Sequence, residues 1–267
     1  MLKTRIILLT SCAVIVALLF LLPKAVVENE AGLATDNPSM TTGDGHQAVD
    51  PAVQTAINRL RADADNGRQD RNNAIFADSL ASLYVAAGRY DSAAIYRERS
   101  ATFFDSPEAW SAAGEAWYQA FTFSLNEAER SAYAGKAQDI FRKILDKDPG
   151  NAGIKVKLAM TYIGTSTPMQ GITLLREVIA ADPRNEEALL KMGTLSIQSG
   201  QFGKAIDWLK KLEAVNPANI EGQLLLGAAY AGAGEKDKAR AQYERTRTLT
   251  NDPAVQQQLD QYMKDLE

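Results

Sequence analysis

A spacing of 34 residues recurs through the second half of the chain. Small residues repeat at that spacing, and large apolar residues repeat four positions after them. The small residues are Ala137, Gly171, Ala205 and Ala239, and the large ones are Phe141, Leu175, Leu209 and Tyr243. Turns of the form Pro-x-Asn fall in the same frame at 149–151, 183–185 and 217–219. A period of this length predicts a stack of similar units, each of which buries its apolar face only against a neighbour.

A second set of columns comes before the first in each unit and predicts another helix there. The frame aligns Leu158 and Ala159 with Met192 and Gly193 and with Leu226 and Gly227, and it aligns Tyr162 with Ser196 and Tyr230. Each unit therefore has two apolar helices joined by a turn. This pattern resembles the tetratricopeptide repeat, whose unit is a helical hairpin. The resemblance covers about residues 71–250 and implies an all-α solenoid of about five repeats.

Two earlier units follow the same plan with one interruption. Their first-helix columns hold Leu80, Ala81 and Tyr84 in a unit that begins near Arg71, and Trp110, Gly114 and Trp117 in a unit that opens at Pro107. The distance from Tyr162 to Gly171 is 9 residues, but the distance from Trp117 to Ala137 is 20. We therefore expect an extended hairpin at residues 107–149, with 11 extra residues.

Aromatic residues crowd the expected tip of that extended hairpin. They are Tyr118, Phe121, Phe123 and Tyr133. Asn126 followed by Glu129 resembles a capping box, which predicts a second helix from near Glu127 to about Asp146. Two interpretations of the aromatic residues stay open: they pack on one another, or they form a docking tip for a partner protein.

Residues 51–66 and 252–267 are predicted to form helices that close the two ends of the stack. Each segment starts with aspartate followed by proline, at Asp50 and at Asp252, which is a helix-start signal. Each then carries apolar residues along one face. An end helix with an apolar inner face and a polar outer face keeps the terminal repeat from exposing its interior.

The first 24 residues have the pattern of a membrane anchor. Residues 6–22 carry no charge, and this length of 17 residues is about the shortest that spans a bilayer as a helix. Lys3 and Arg5 come before the run, which predicts a cytoplasmic N-terminus. Polar residues 25–50 then predict a flexible linker. A cleaved signal peptide and a lipid-modified Cys12 remain alternatives.

This arrangement predicts a single-pass protein whose repeats lie outside the cytoplasm. The one Asn-x-Ser/Thr sequence, at residues 37–39, contains proline and so is no glycosylation site. We therefore expect a bacterial inner-membrane protein with its repeat domain in the periplasm.

The composition excludes several kinds of active site. The chain has one cysteine and one histidine, which leaves no disulfide, no Cys/His metal cluster and no Ser-His-Asp or Cys-His nucleophile. Its net charge of −4 disfavours nucleic acid as a partner. An enzyme that uses carboxylates alone, such as Glu108 with Glu115, is the remaining enzymatic alternative. We expect no enzymatic activity, no cofactor and no metal.

The resemblance implies that a partner lies along the concave face lined by the first helices. In the three regular units the outward positions hold mostly apolar residues: Val156, Met160, Ile163, Leu190, Thr194, Ile197 and Leu224, then Ala228 and Ala231. In the earlier units they hold Asp78, Ser82, Glu108, Ser111 and Glu115. The apolar set predicts a groove for an apolar helix or extended segment rather than a clamp for a carboxylate.

The sequence therefore predicts a membrane-tethered, non-enzymatic scaffold or adaptor that binds a partner protein of the cell envelope. A homo-oligomeric assembly module, joined through the extended hairpin or the first end helix, is the alternative in another class. No residue pattern identifies the partner or the cellular process.

Overall fold

The computed structural model describes residues 50–65 and 70–267, which belong to one compact unit, 46–267. These residues form helices and turns and contain no strand, which confirms the predicted all-α fold. The helices are α1 (Pro51–Ala64), α2 (Arg71–Ala86), α3 (Tyr90–Phe104), α4 (Pro107–Phe123), α5 (Glu127–Lys147), α6 (Ala152–Ile163), α7 (Pro168–Ala181), α8 (Glu186–Gln198), α9 (Phe202–Val215), α10 (Ile220–Gly232), α11 (Lys236–Arg247) and α12 (Pro253–Asp265).

The predicted anchor at residues 1–24, Cys12 and nearly all of the predicted linker lie outside the described residues. Within the described ranges, every helix is too short or too polar to cross a bilayer.

The helices stack as hairpins in chain order. The hairpins are α2–α3, α4–α5, α6–α7, α8–α9 and α10–α11, with α1 against α2 at one end and α12 against α11 at the other. Consecutive helices make most of the contacts, and first helices of neighbouring hairpins also touch, α4 with α6 and α8 with α10. This nearest-neighbour packing is that of an α-solenoid of the tetratricopeptide-repeat type.

The Pro-x-Asn turns set where three first helices begin. The side-chain oxygens of Asn151, Asn185 and Asn219 accept hydrogen bonds from the backbone N–H three residues later, at 3.1, 2.9 and 2.8 Å. Each asparagine is the N-cap of its helix and satisfies an N–H that has no partner within the helix. Asn126 caps α5 in the same way, so this helix begins at Glu127 as predicted.

Four of the five turns inside the hairpins take one of two forms. Three of them contain a glycine in the left-handed region: Gly88 with φ 69°, Gly200 with φ 69° and Gly234 with φ 79°. In the α6–α7 turn Ser166 stands at that position, and no left-handed residue occurs there. Instead, the Thr165 hydroxyl donates to the carbonyl of Thr161 at 3.0 Å, and α7 starts with Pro168. The hairpin therefore closes although the glycine is missing.

The repeating columns of small and large residues form the core of each hairpin. All eight residues of the two columns named first are buried. The large side chain of the second helix packs against the small residue of the first helix. A Cβ at Gly193 would lie 2.6 Å from Cδ2 of Leu209, and one at Gly114 would lie 2.7 Å from Cε1 of Phe141. The Tyr243 ring occupies the corresponding space at Gly227. The register predicted from the sequence is therefore the packing register.

Helix α1 closes the first end of the stack. Ile57 is buried in a cluster with Leu80 and Tyr84 of α2. At the end of α1, Asp65 accepts a hydrogen bond from the Tyr96 hydroxyl at 2.9 Å and forms a 2.7 Å ion pair with Arg99. These contacts tie α1 to both helices of the first hairpin.

Helix α12 closes the other end. Leu259 is fully buried beside Ala239 and Tyr243 of α11, and the ring of Tyr262 stacks on Tyr243 with centroids 5.3 Å apart. Burial raises the pKa of Tyr243 to about 12, with a smaller contribution from Tyr262 and then Asp265. Burial, followed by the hydrogen bond to Asp65, likewise raises the pKa of Tyr96 to about 12.

Two glycine substitutions test the seating of large side chains on small ones. Gly227→Ala places a methyl group against the Tyr243 ring and is expected to lower the free energy of unfolding by about 1–3 kcal/mol. Gly135→Ala is the matched control, because Gly135 lies inside α5 with open space at its Cβ. It is expected to stabilise by about 0.5–1 kcal/mol, since alanine favours the helix. Denaturant unfolding measures both, and equal effects would contradict the packing described.

The two tyrosines predict how stability depends on alkaline pH. Their pKa is near 10.0 in the unfolded chain and about 12 in the folded one. The unfolded state therefore loses these protons first, and stability should fall as the pH rises from 10.0 towards 12. The double variant Tyr96→Phe/Tyr243→Phe should lose less of its thermal midpoint over this range than the wild type. Parallel curves for the two proteins would contradict the prediction.

Candidate functional site

The predicted groove residues divide into buried and accessible ones. Val156 is 1% exposed and Leu190 is 9% exposed. Met160, Ile163, Thr194, Ile197 and Leu224 are all partly exposed. Fewer of the predicted groove residues are therefore accessible to a partner than the sequence pattern indicates.

Val156 and Leu190 are buried at the interfaces between neighbouring first helices. Val156 belongs to a cluster that includes Ala188 and Met192 of α8, and Leu190 to one that includes Leu226 of α10. A partner cannot reach these two side chains in this arrangement. The sequence register places both residues on the outward side of their helices and does not predict that they are buried. Their burial depends on how closely the first helix of the next hairpin approaches.

Two of the accessible apolar groove residues, Ile163 and Ile197, share one column of the repeat frame, whereas Met160 and Leu224 lie outside it. Ile163 and Ile197 each come directly after the column that holds Tyr162 and Ser196, and Tyr118 comes directly after Trp117 in the same way. We call Tyr118, Ile163 and Ile197 the apolar strip; all three side chains are partly exposed. Val85, after Tyr84, is exposed at the same register position of the first hairpin.

Tyr118 lies with the first-helix strip as well as near the hairpin tip. Burial raises the pKa of Tyr118, and the carboxylates of Glu187 and Glu115 raise it further. Like any tyrosine hydroxyl, that of Tyr118 is protonated at neutral pH and can donate a hydrogen bond to a partner. Applying the repeat frame to the extended hairpin would have assigned Tyr118 to the strip from the sequence alone.

A cleft opens where the start of α5 faces the α6–α7 turn. It has a volume of about 480 Å³ and is lined by Ile163, Gly164, Thr165 and Ser166 on one side and by Glu127, Arg130 and Ser131 on the other. Ile163 therefore joins the cleft to the apolar strip. The cleft combines one large apolar residue, Ile163, with polar side chains and with charges of both signs, Glu127 and Arg130.

Two of the predicted tip aromatics, Tyr118 and Phe121, are in ring contact, with centroids 5.9 Å apart, and the others pack elsewhere. The ring of Phe121 is 8% exposed and occupies the space beside Gly164, so it packs α4 against the next hairpin. Tyr133 lies against Trp117, with ring centroids 5.6 Å apart. Both therefore have packing roles.

Phe123 remains at the surface. Its side chain is 57% exposed, and its ring stacks on Tyr90 of α3 at a centroid distance of 4.3 Å. Leu125, in the turn that follows, is fully exposed. The exposed apolar part of the tip is thus Phe123 with Leu125, and the sequence pattern had not singled out Leu125.

Ion pairs neutralise part of the acidic region predicted upstream. Asp78 is paired with Arg97, which also donates to the Ser82 hydroxyl at 3.1 Å. Glu115 is paired with Lys157 of the next first helix. Among the residues that the structure describes, no three His, Cys, Asp or Glu side chains are placed to hold a metal ion.

Comparison with known proteins identifies the repeats. A family model described as the tetratricopeptide repeat matches residues 170–223 and 197–259, about a third of the chain. The comparison with curated protein sequences gave no match.

The chain is also similar to several solved structures. TTC0263, a thermophilic tetratricopeptide-repeat protein of Thermus thermophilus, superposes with a TM-score of 0.51 at 19% identity, over 71% of this chain and 98% of that one. MamA gives a TM-score of 0.49 at 18% identity, over 68% and 93%. YrrB, described as having an unusual peptide-binding site, gives 0.46 at 14% identity, over 77% and 99%. At these identities the likeness to TTC0263 shows the fold alone.

Proposed function

We propose that this chain, in which residues 170–259 are tetratricopeptide repeats, is a non-enzymatic scaffold that binds a partner protein along its first helices. The observation that carries the proposal is the apolar strip. Tyr118, Ile163 and Ile197 recur at one register position in three successive hairpins and are still partly exposed after the stack has formed. Apolar side chains that recur along a helical surface fit an apolar helix or extended segment.

The cleft beside Ile163 favours a partner that inserts a side chain into it rather than one that binds through a flat surface. It lies at one point of the strip, where α5 faces the α6–α7 turn. One larger side chain of the partner fits there, and the rest of the segment follows Ile197 and the partly exposed Thr194. Such an anchor in a pocket usually supplies much of the binding energy of an interface.

The residue chemistry favours binding over catalysis. The whole chain has one histidine and one cysteine, His46 and Cys12, so no nucleophile can be paired with a histidine base elsewhere in the repeats. The carboxylate pair Glu108 and Glu115 is a weak alternative, because Glu115 forms an ion pair with Lys157. We therefore propose no reaction and no cofactor.

The location of the scaffold is a further part of the proposal. The uncharged run at residues 6–22 and the preceding Lys3 and Arg5 favour a single-pass anchor with a cytoplasmic N-terminus. The repeats then lie in the periplasm of a bacterium, tethered to the inner membrane through residues 25–50. Their partner is a membrane or periplasmic protein.

Crosslinking in intact cells tests the strip directly. The full-length chain carrying Ile163→Asp/Ile197→Asp should recover its crosslinked partner at least tenfold less than the wild type, because two carboxylates would be buried against apolar side chains. Ile95→Asp/Leu249→Asp is the matched control, since both positions are exposed and lie away from the strip. Recovered proteins are identified by mass spectrometry.

Thermal melting must show that both variants fold, and Ile163→Gln/Ile197→Gln replaces the first variant if it does not. Equal recovery from the wild type and the strip variant would overturn the proposed function. Recovery of a second copy of this chain alone would favour the homo-oligomeric alternative.

A further inference from the structure

One register position holds a serine where the other hairpins hold an aromatic ring. The position carries Tyr84, Trp117, Tyr162, Ser196 and Tyr230 along the five hairpins. In the third hairpin Tyr162 packs against the buried cluster that contains Phe141 of α5, and in the fifth Tyr230 packs against the clusters that contain Leu209 of α9 and Tyr243 of α11. In the fifth hairpin the ring therefore occupies space between residues of two successive second helices, α9 and α11. At Ser196 no ring is present to fill the corresponding space.

A pocket of about 220 Å³ lies at this position, between α7 and α9. Its apolar walls are formed by Ile172, Leu195 and Trp208, and Ser196 lines it from α8. The Ser196 hydroxyl donates to the carbonyl of Met192 at 2.7 Å, so it already has a partner. The Ser196 hydroxyl hydrogen is therefore satisfied, and this side of the pocket accommodates an apolar occupant.

Trp208 leaves room for another ring. It is partly exposed and forms one wall, with the Lys211 ammonium 4.3 Å from its ring centroid. An apolar cavity of about 150 Å³ is enough to hold benzene. The pocket therefore accepts one aromatic side chain, which would stack on or meet the edge of Trp208.

The rim of the pocket is positively charged although the chain is acidic overall. Arg176, Lys204 and Lys211 line it with a single carboxylate, Asp207, against a net charge of −4 for the whole protein. Among the residues that the structure describes, none of these three cations forms an ion pair. A rim of this kind attracts an occupant with negative charges beside its ring.

The pocket is separate from the apolar strip. Its α8 residues Leu195 and Ser196 point towards the second helices, whereas Thr194 and Ile197 lie on the opposite side of α8 by helical geometry. Binding at the two places can therefore be tested independently.

We propose that this pocket binds an aromatic side chain of a partner protein that is flanked by acidic residues. The vacant ring position selects the aromatic group, and Arg176, Lys204 and Lys211 select the acidic flanks. The proposal rests on the proposed function only in taking a protein as the occupant.

Ligand-observed ¹⁹F NMR with the full-length chain tests it. The probe is the peptide acetyl-Asp-(4-fluoro-Phe)-Asp-amide, and its control is the same peptide with lysine in place of aspartate. The acidic peptide should show concentration-dependent line broadening and bind at least tenfold more tightly than the lysine peptide. Equal binding of the two peptides, or no binding of either, would overturn the proposal.

Two variants locate the site. Ser196→Tyr restores the ring that the other hairpins carry, so it should weaken binding of the acidic peptide at least tenfold while the protein stays folded. Ser79→Tyr, at an exposed position of α2, should bind as the wild type does. Arg176→Gln/Lys211→Gln should also weaken binding of the acidic peptide several-fold. If Ser196→Tyr does not fold, this double variant is the test of whether the peptide binds in the pocket. Unchanged affinity in a folded Ser196→Tyr protein would overturn the proposal.

Failure of this inference is distinguishable from failure of the proposed function. If Ile163→Asp/Ile197→Asp loses its crosslinked partner but no peptide binds, the pocket proposal falls and the scaffold stands. The opposite result is also possible: the acidic peptide binds, Ser196→Tyr abolishes that binding, and Ile163→Asp/Ile197→Asp still recovers its partner fully. The pocket proposal then stands, and the proposal that the apolar strip binds the partner falls.

Discussion

The structure depends on a large side chain of each second helix seated on a small residue of the first. Gly114 seats Phe141, Gly193 seats Leu209, and Gly227 seats Tyr243. This contact lets two helices approach closely, and it leaves apolar surface that only another hairpin can cover. The stack is therefore a chain of nearest-neighbour interfaces, and α1 and α12 are needed because the last interface at each end would otherwise face water.

The candidate binding surfaces occur where this repeating contact leaves an apolar side chain exposed or a space between helices unfilled. The apolar strip consists of residues one position after the column that holds Trp117, Tyr162 and Ser196, so the same register repeats it along the stack. The cleft at Ile163 arises where the extended α4–α5 hairpin departs from the period. The pocket at Ser196 arises where one ring of the column is missing.

Sequence reasoning reached the fold because the signals involved are local. The repeating columns, the Pro-x-Asn turns and the start of α5 all follow from patterns of nearby residues. The burial of Val156 and Leu190 did not follow, since it depends on the distance between first helices of adjacent hairpins. Phe121 was placed at a tip, yet its ring packs beside Gly164, a contact across hairpins that no local pattern encodes.

Amide hydrogen exchange of the full-length chain, measured by mass spectrometry, tests the stack of nearest-neighbour hairpins most directly. The account predicts that α1 and α12 exchange fastest among the described helices and that protection rises inwards to the hairpins around α6–α9, because end units are held by one interface and inner units by two. Equal protection in all helices, or faster exchange in α6–α9 than in α1, would contradict it.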